Sequence, residues 1–240
     1  MFKTLVWMRV AVLAVGLALA WPISAQADFM WMGEWNIALV GVAVGPGSTA
    51  KPNFGNVMVD LANASGTAAT ISDPTMASTA DVTVSFMRQF KLFNDPEDSD
   101  VTLFGILSGA LNSTSAAPKV FASASTLVDA DIVGGFPIII TGAASVVAEN
   151  DTDNEFLMTP VADSAILADG IYTVDGTLEV MVGASQSPVG LADANANVNW
   201  IVGVSAVPIP EPSTFLQLCL GVFLLFFASL FQSSRSSSSR

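Results

Sequence analysis

Two segments of this chain alternate apolar and polar residues, and this pattern restricts the backbone more than any other in the sequence. Residues 81–93 read DVTVSFMRQFKLF and residues 171–182 read IYTVDGTLEVMV. Successive side chains of a β-strand point to opposite faces of a sheet, so the pattern predicts half-buried strands. The residues predicted to face inward are Val82, Val84, Phe86, Phe90 and Leu92 in the first segment, and Tyr172, Val174, Leu178, Val180 and Val182 in the second.

A third segment, residues 197–207, also alternates, with Val198, Trp200, Val202 and Val204 on one side. Within residues 28–207 a helix is expected only at 160–168. About eight short strands separated by Gly, Pro, Asn and Asp clusters predict an all-β fold, a β-sandwich or a jelly-roll-like body. The less regular strand candidates are residues 36–44, 56–61, 101–107, 119–127 and 137–147.

The C-terminal residues 208–240 form a segment of another kind. Residues 215–231 are uncharged and apolar. As a helix they would be about 26 Å long at ~1.5 Å per residue, close to the ~30 Å of a bilayer core. This predicts a single transmembrane helix, with a buried core helix as the alternative. Arg235 and Arg240 follow it, and by the positive-inside rule they place the C-terminus in the cytoplasm and the body outside.

A short proline-rich motif, Pro210, Glu211 and Pro212, precedes the apolar run. The order Pro-Glu-Pro, apolar helix, basic end resembles the PEP-CTERM sorting signal of exported bacterial proteins. The resemblance implies recognition by an exosortase, which is a membrane-embedded processing enzyme, then transfer of the body to the cell surface, in association with exopolysaccharide. The two arginines are spread through serines rather than clustered. A plain membrane anchor that is never processed is therefore the alternative.

The N-terminus has the features of an export signal. Two basic residues precede an apolar run at 10–20, and Ala25 and Ala27 form a small-x-small cleavage site. Asp28 is then the first residue of the mature chain, unless the segment remains as an N-terminal anchor. The predicted organisation is a signal peptide at 1–27, an exported β-rich domain at 28–207 and a sorting tail at 208–240.

The lack of histidine, the single cysteine and the charge exclude several functions. The chain has no histidine, one cysteine (Cys219) and a net charge of −13. Ser-His-Asp and Cys-His catalysis and zinc sites built from Cys and His are therefore excluded. A chain so acidic would be repelled by nucleic-acid phosphates, so nucleic acid is not an expected partner.

Two acidic segments, 94–100 and 149–155, lie between predicted strands. Both alternate carboxylates with Asn, Ser or Thr, and Ca²⁺ takes roughly six to eight oxygen ligands. Neither segment has the spacing of an EF-hand loop. Each is either a solvated acidic turn or a Ca²⁺ site, and the candidate ligands are Asp95, Glu97, Asp98, Asp100, Asp151, Asp153 and Glu155.

Three further residues have two interpretations each. Arg88 falls on the apolar side of its strand. It occupies either a bulge or rim position, or a buried position where it holds a carboxylate ligand. Trp31 and Trp35 either close one end of the core or stack on sugar rings.

These observations predict a non-catalytic exported protein of the cell surface or extracellular matrix. Its expected partners are an exosortase, the membrane and an exopolysaccharide. One alternative is a surface hydrolase such as a glycosidase, which needs only two carboxylates about 5–10 Å apart. Another is an unprocessed, membrane-anchored module that binds calcium or carbohydrate.

Overall fold

Ten β-strands make up the described part of the protein. The computed structural model describes residues 28–58, 61–93, 98–135 and 137–208. Residues Ala27–Ala206 form one compact unit. The strands are β1 (Asp28–Val44), β2 (Thr49–Met58), β3 (Leu61–Ile71), β4 (Ser78–Phe93), β5 (Ser99–Ser115), β6 (Phe121–Val133), β7 (Ile138–Glu149), β8 (Thr152–Leu167), β9 (Gly170–Ala184) and β10 (Ala192–Pro208).

The strands form two five-stranded sheets. One, called here the β1 sheet, has the order β1-β4-β9-β6-β7, and the other, the β2 sheet, has the order β2-β3-β10-β5-β8. From β3 onward the chain passes from one sheet to the other at almost every connection. The orders β3-β10-β5-β8 and β4-β9-β6-β7 are those of a jelly roll, to which β1 and β2 each add an edge strand. The all-β sandwich predicted from the sequence is confirmed.

The core lies between the two sheets and contains the side chains that the alternation predicted. In β4, Val82, Val84, Phe86, Phe90 and Leu92 are all buried, and so are the five predicted residues of β9 and Val198, Trp200 and Val202 of β10. Each fully buried large apolar side chain contributes about 1.5–3 kcal/mol relative to an exposed one.

Glycines make room for the two largest core rings. A Cβ atom on Gly105 of β5 would lie 2.1 Å from Cη2 of Trp200, and one on Gly176 would lie 2.4 Å from Cζ of Phe86. Both rings therefore pack directly on the backbone of a strand. Since an indole or a phenyl ring cannot bend, any side chain at these glycines would push the ring or the strand aside.

The structure corrects three details of the sequence-based prediction. Residues 160–168 are not helical, because β8 pairs with β5 along its whole length, and Pro160 is accommodated on an edge strand. The strand predicted at 56–61 contains the end of β2 and the start of β3. There are ten strands rather than about eight. Apolar and polar residues alternate less regularly in the sequences of β2, β3 and β8, so these strands were not predicted with their observed bounds.

The segments with the predicted targeting signals lie outside the described residues. These are the signal peptide (1–27), the motif 210–212, the apolar run 215–231, Arg235 and Arg240. Asp28, the predicted mature N-terminus, is the first residue of β1. Within the described ranges no helix is long and apolar enough to cross a membrane.

Candidate functional site

The outer surface of the β2 sheet carries rows of uncharged amide and hydroxyl side chains. Asn195, Asn197 and Asn199 alternate along β10 with side chains that are buried in the core, among them Val198 and Trp200. Since the inner positions of β10 are held by the core, the period of two turns the three amides outward.

Neighbouring strands continue these rows across the sheet. On β3, Thr67 is paired with Asn197 and Ser65 with Asn199, and on β2, Asn53 is paired with Ser65. Thr67 Oγ1 donates to Asn197 Oδ1 at 3.5 Å, and Asn53 Nδ2 donates to Ser65 Oγ at 3.4 Å. Adjacent strands are about 4.8 Å apart, so polar groups repeat across the face at that interval.

The row continues on the other side of β10. Asn112 of β5 donates from Nδ2 to Asn195 Oδ1 at 2.9 Å, and Asn112 is itself paired with Asn154 of β8. We call the outward surface made by these residues the amide face. Its members are Asn53, Ser65, Thr67, Asn112, Asn154, Asn195, Asn197 and Asn199.

An apolar area adjoins the amide face on β8. Phe156 and Met158 follow Asn154 on the same side of the strand, and their side chains are 80% and 76% exposed. An amide has two N–H donors and an oxygen with two lone pairs, so one contact to a neighbour leaves capacity for a ligand. Uncharged amides beside an exposed ring offer hydrogen bonding and an apolar surface to the same ligand, which suits polyhydroxylated molecules.

The outer surface of the β1 sheet has a different chemistry. Asp131 of β6 is paired with Asp175 of β9, and Asp129 lies two residues from Asp131 on the same side of β6. Glu179 of β9 is paired with Leu127 and is diagonal to Asp129. Burial raises the pKa of Asp129, and the carboxylates of Asp131, Asp175 and Glu179 raise it further. Burial also raises the pKa of Asp131, with Asp175 adding to the effect. This acidic patch is a cluster of like charges on an open sheet.

Two of the three predicted calcium ligands in residues 149–155 have backbone partners. Asp151 Oδ1 accepts the N–H of Glu149 at 2.8 Å, and Asp153 Oδ2 accepts the N–H of Val147 at 3.3 Å. Glu155 is exposed on β8. Asp153 of β8 thus joins the two sheets at this edge, whereas Asp151 lies in the turn between β7 and β8.

The other predicted calcium segment is described only in part. Asp98 and Asp100 are exposed at the start of β5, and Asp95 and Glu97 lie outside the described residues. Among the residues that are described, no three Asp, Glu, Cys or His side chains form a group that could hold a metal ion. Calcium binding at these segments stays a prediction.

Arg88 and the two tryptophans meet at a β-bulge. The register of β1 against β4 shifts between Met32 and Asn36, so that Gly33, Glu34 and Trp35 lie opposite Arg88. Arg88 Nε donates to Gly33 O at 3.0 Å, and its guanidinium lies 4.9 Å and 5.6 Å from the ring centroids of Trp31 and Trp35. The bulge interpretation of Arg88 is confirmed.

Both tryptophans belong to the core side of the sandwich. The Trp31 ring centroid is 5.8 Å from that of Phe90, and the Trp35 centroid is 5.7 Å from that of Phe86. Both rings are partly buried against the core. This geometry favours closure of one end of the core over stacking on a sugar.

Sequence reasoning did not identify the amide face. The alternation of residues 197–207 placed Asn197 and Asn199 on the outer side of a strand, but outward polar residues are ordinary in any half-buried strand. The sequence does contain one indication of the amide face, because asparagine occurs at every second position from Asn195 to Asn199. Their neighbours on β3 and β5 are remote in sequence and became visible only with the sheet order.

No protein-family model and no characterised relative matches this chain. Among solved structures, it is similar to TmCBM61 in complex with β-1,4-galactotriose, with a TM-score of 0.22 and 7% identity over 68% of this chain and 90% of that chain. It is also similar to the family 11 carbohydrate-binding module from Clostridium thermocellum in complex with a mixed-linked tetrasaccharide, with a TM-score of 0.17 and 7% identity over 74% and 96% of the two chains.

A third likeness is to the enzymatically active domain of tailspike protein 4 from bacteriophage CBA120. Its TM-score is 0.22 and its identity 9%, over 73% of this chain but only 19% of that chain. TM-scores of this size establish neither a shared fold nor a shared function.

Proposed function

We propose that this chain is a non-catalytic exported protein of the cell surface or matrix that binds a neutral polysaccharide through the amide face. The observation that carries the proposal is the row of amides across three strands, Asn195, Asn112 and Asn154, which ends beside the exposed ring of Phe156. Amides recognise hydroxyl groups by hydrogen bonds, and an exposed ring covers the apolar side of a sugar.

The charge of the chain favours a neutral ligand over an acidic one. The net charge is −13, so a polyuronate or other anionic polymer would be repelled. The outward residues of β10 between Asp193 and Ile201 are all asparagines, and the eight residues of the amide face carry no charge. Lys51 of β2, paired with Thr67, adds a positive charge beside them.

Delivery to the surface is part of the same proposal. The motif Pro210, Glu211 and Pro212 before the apolar run 215–231 supports recognition by an exosortase. A carboxylate is not needed for membrane insertion, and acidic residues contribute little to orientation, so Glu211 is best explained as a recognition group. Replacing Glu211 by Ala is expected to leave export intact and to make the full-length form accumulate in the membrane fraction. Equal release of wild type and variant would contradict processing at this motif.

Affinity electrophoresis tests the polysaccharide proposal. The chain is run in native gels that contain a neutral β-glucan, a neutral galactan or a polyuronate. We expect retardation by at least one neutral polymer and none by the polyuronate. The variants Asn112→Ala and Asn197→Ala should lose the retardation, whereas Asn36→Ala, an exposed amide on the β1 sheet, should keep it. No retardation by either neutral polymer, or equal retardation of all variants, would overturn the proposal.

A carboxylate-dependent hydrolase is the second candidate, because Asp131 and Asp175 are directly opposite each other. Directly opposed residues have Cβ atoms about 4.5–5.5 Å apart, near the spacing of about 5 Å between the carboxyl groups of retaining glycosidases. Release of reducing ends from the bound polymer, abolished by Asp131→Asn and by Asp175→Asn, would favour this candidate over the non-catalytic one.

A further inference from the structure

The edge strand β1 has a partner strand on one side only within the described sandwich. Among the described strands it pairs only with β4. No charged residue occurs in residues 35–50. Its regular half, residues 36–44 beyond the bulge, exposes five apolar side chains by 40–53%, namely Ile37, Leu39, Val40, Val42 and Val44. A long, uncharged and apolar edge of this kind is a template for a strand from another chain.

The opposite edge of the same sheet is protected. Backbone N–H groups of β7 at Ile139 and Val147 donate to the carboxylates of Asp163 and Asp153 on β8, at 3.1 Å and 3.3 Å. These side chains occupy hydrogen-bonding groups that an added strand would need. Their charges also oppose the approach of a second acidic chain.

The two edges of the β2 sheet also carry protective residues. β2 has Lys51 and Pro52 in its centre, and β8 has Pro160. Proline lacks an N–H group, and lysine on an edge discourages pairing. Of the four edges in the described sandwich, only the regular part of β1 has no lysine or proline in the strand and no carboxylates of a neighbouring strand bound to its N–H groups.

We propose that residues 36–44 of β1 pair antiparallel with the same residues of a second copy, about a twofold axis at Val40. Such an interface is isologous and joins the two β1 sheets into one sheet. The chain carries a net charge of −13, so two copies repel each other over most of their surface. The uncharged β1 edge is a surface where they can meet without opposing charges.

The side chains of β1 are complementary in this register. With Val40 opposite Val40 of the second copy, Leu39 lies opposite Gly41, Ile37 opposite Ala43 and Val42 opposite Ala38. Three large side chains, Leu39, Ile37 and Val42, thus each meet a small one, which is how facing positions interdigitate, while Val40 meets Val40 at the axis. An axis through Leu39 would instead oppose two leucines, and one through Gly41 would leave a gap.

Disulfide cross-linking tests both the partner and the register. The full chain carries Cys219→Ala, so that engineered cysteines are the only ones, and is mildly oxidised in the membranes of the expressing cells. In Val40→Cys the two cysteines would have Cα atoms about 4.5–5.5 Å apart, within the disulfide range. In Val44→Cys they would be about 27 Å apart at ~3.4 Å per residue.

We expect a dimer band on non-reducing gels for Val40→Cys and none for Val44→Cys or for Val147→Cys on the protected edge. Adding Val42→Lys to Val40→Cys should remove the band, because a charge would enter the apolar pairing. Absence of the band for Val40→Cys, equal bands for all three single cysteines, or a cross-link of Val40→Cys to a different protein would each overturn the proposal.

Discussion

The two outer faces of the sandwich differ in chemistry although both cover the same core. On the β1 sheet, burial raises the pKa of Asp129 and of Asp131, and neighbouring carboxylates raise both further. On the β2 sheet, the corresponding outward positions of β10 carry amides. Inner positions are restricted to apolar side chains by the core, whereas outer positions are not. The difference between the faces is therefore not imposed by the core that they share.

The largest effect on stability is expected from removing buried side chains of the core that both faces cover. Trp200→Ala beneath the β2 sheet and Phe86→Ala beneath the β1 sheet should each lower the free energy of unfolding by about 3–5 kcal/mol, because each deletes a fully buried ring. Urea unfolding followed by circular dichroism measures both. If either variant loses under about 1 kcal/mol, the ring is not the packed support described here.

A smaller effect, a pH-dependent change in stability, is expected at the acidic patch of the β1 sheet. The pKa of Asp129 is raised in the folded state, so the folded protein binds the proton of this carboxyl group more tightly than the unfolded chain does. The contribution of Asp129 to stability therefore falls as pH rises from the ordinary value of 3.8 through the raised pKa, and is constant above it. Asp129→Asn should be more stable than wild type at pH 7, by under about 1 kcal/mol because the group is partly exposed.

The matched control for that prediction is a carboxylate placed on the other face. Asn197→Asp adds a charge where the outward neighbours on β3 and β10 are uncharged, so the variant should show no comparable pH dependence. Thermal unfolding of both variants and wild type between pH 4 and pH 7 makes the comparison. An equal pH response of Asn197→Asp would show that net charge, rather than the local cluster, controls the effect.

The smallest effect on stability is expected on the amide face itself. Asn197→Ala should change the free energy of unfolding by no more than about 0.5 kcal/mol, as is usual for an exposed position. The same variant should lose retardation by a neutral polymer. A variant that lost binding only together with stability would indicate that Asn197 supports the sheet rather than the ligand.

Much of the fold was predictable from local pattern. The alternation of β4 and β9 identified ten inner residues, from Val82 to Val182, and all of them are buried. β8 was not predictable, because an edge strand is exposed on much of both faces and loses the alternation that marks a buried one. Calcium binding at residues 151–155 stays a prediction, and the sequence did not show that Asp151 and Asp153 accept backbone N–H groups of β7.

The sequence by itself determined that the body is a β-sandwich and which side of its most regular strands is buried, because a strand's period of two is a local property. Only the tertiary structure decided which outward residues become neighbours. Asn197 meets Thr67 across 130 residues of chain, and Asn112 meets Asn195 across 83. Contacts at such separations follow from the order of strands in the sheet. That order is selected by the packing of the whole core, and no single segment encodes it.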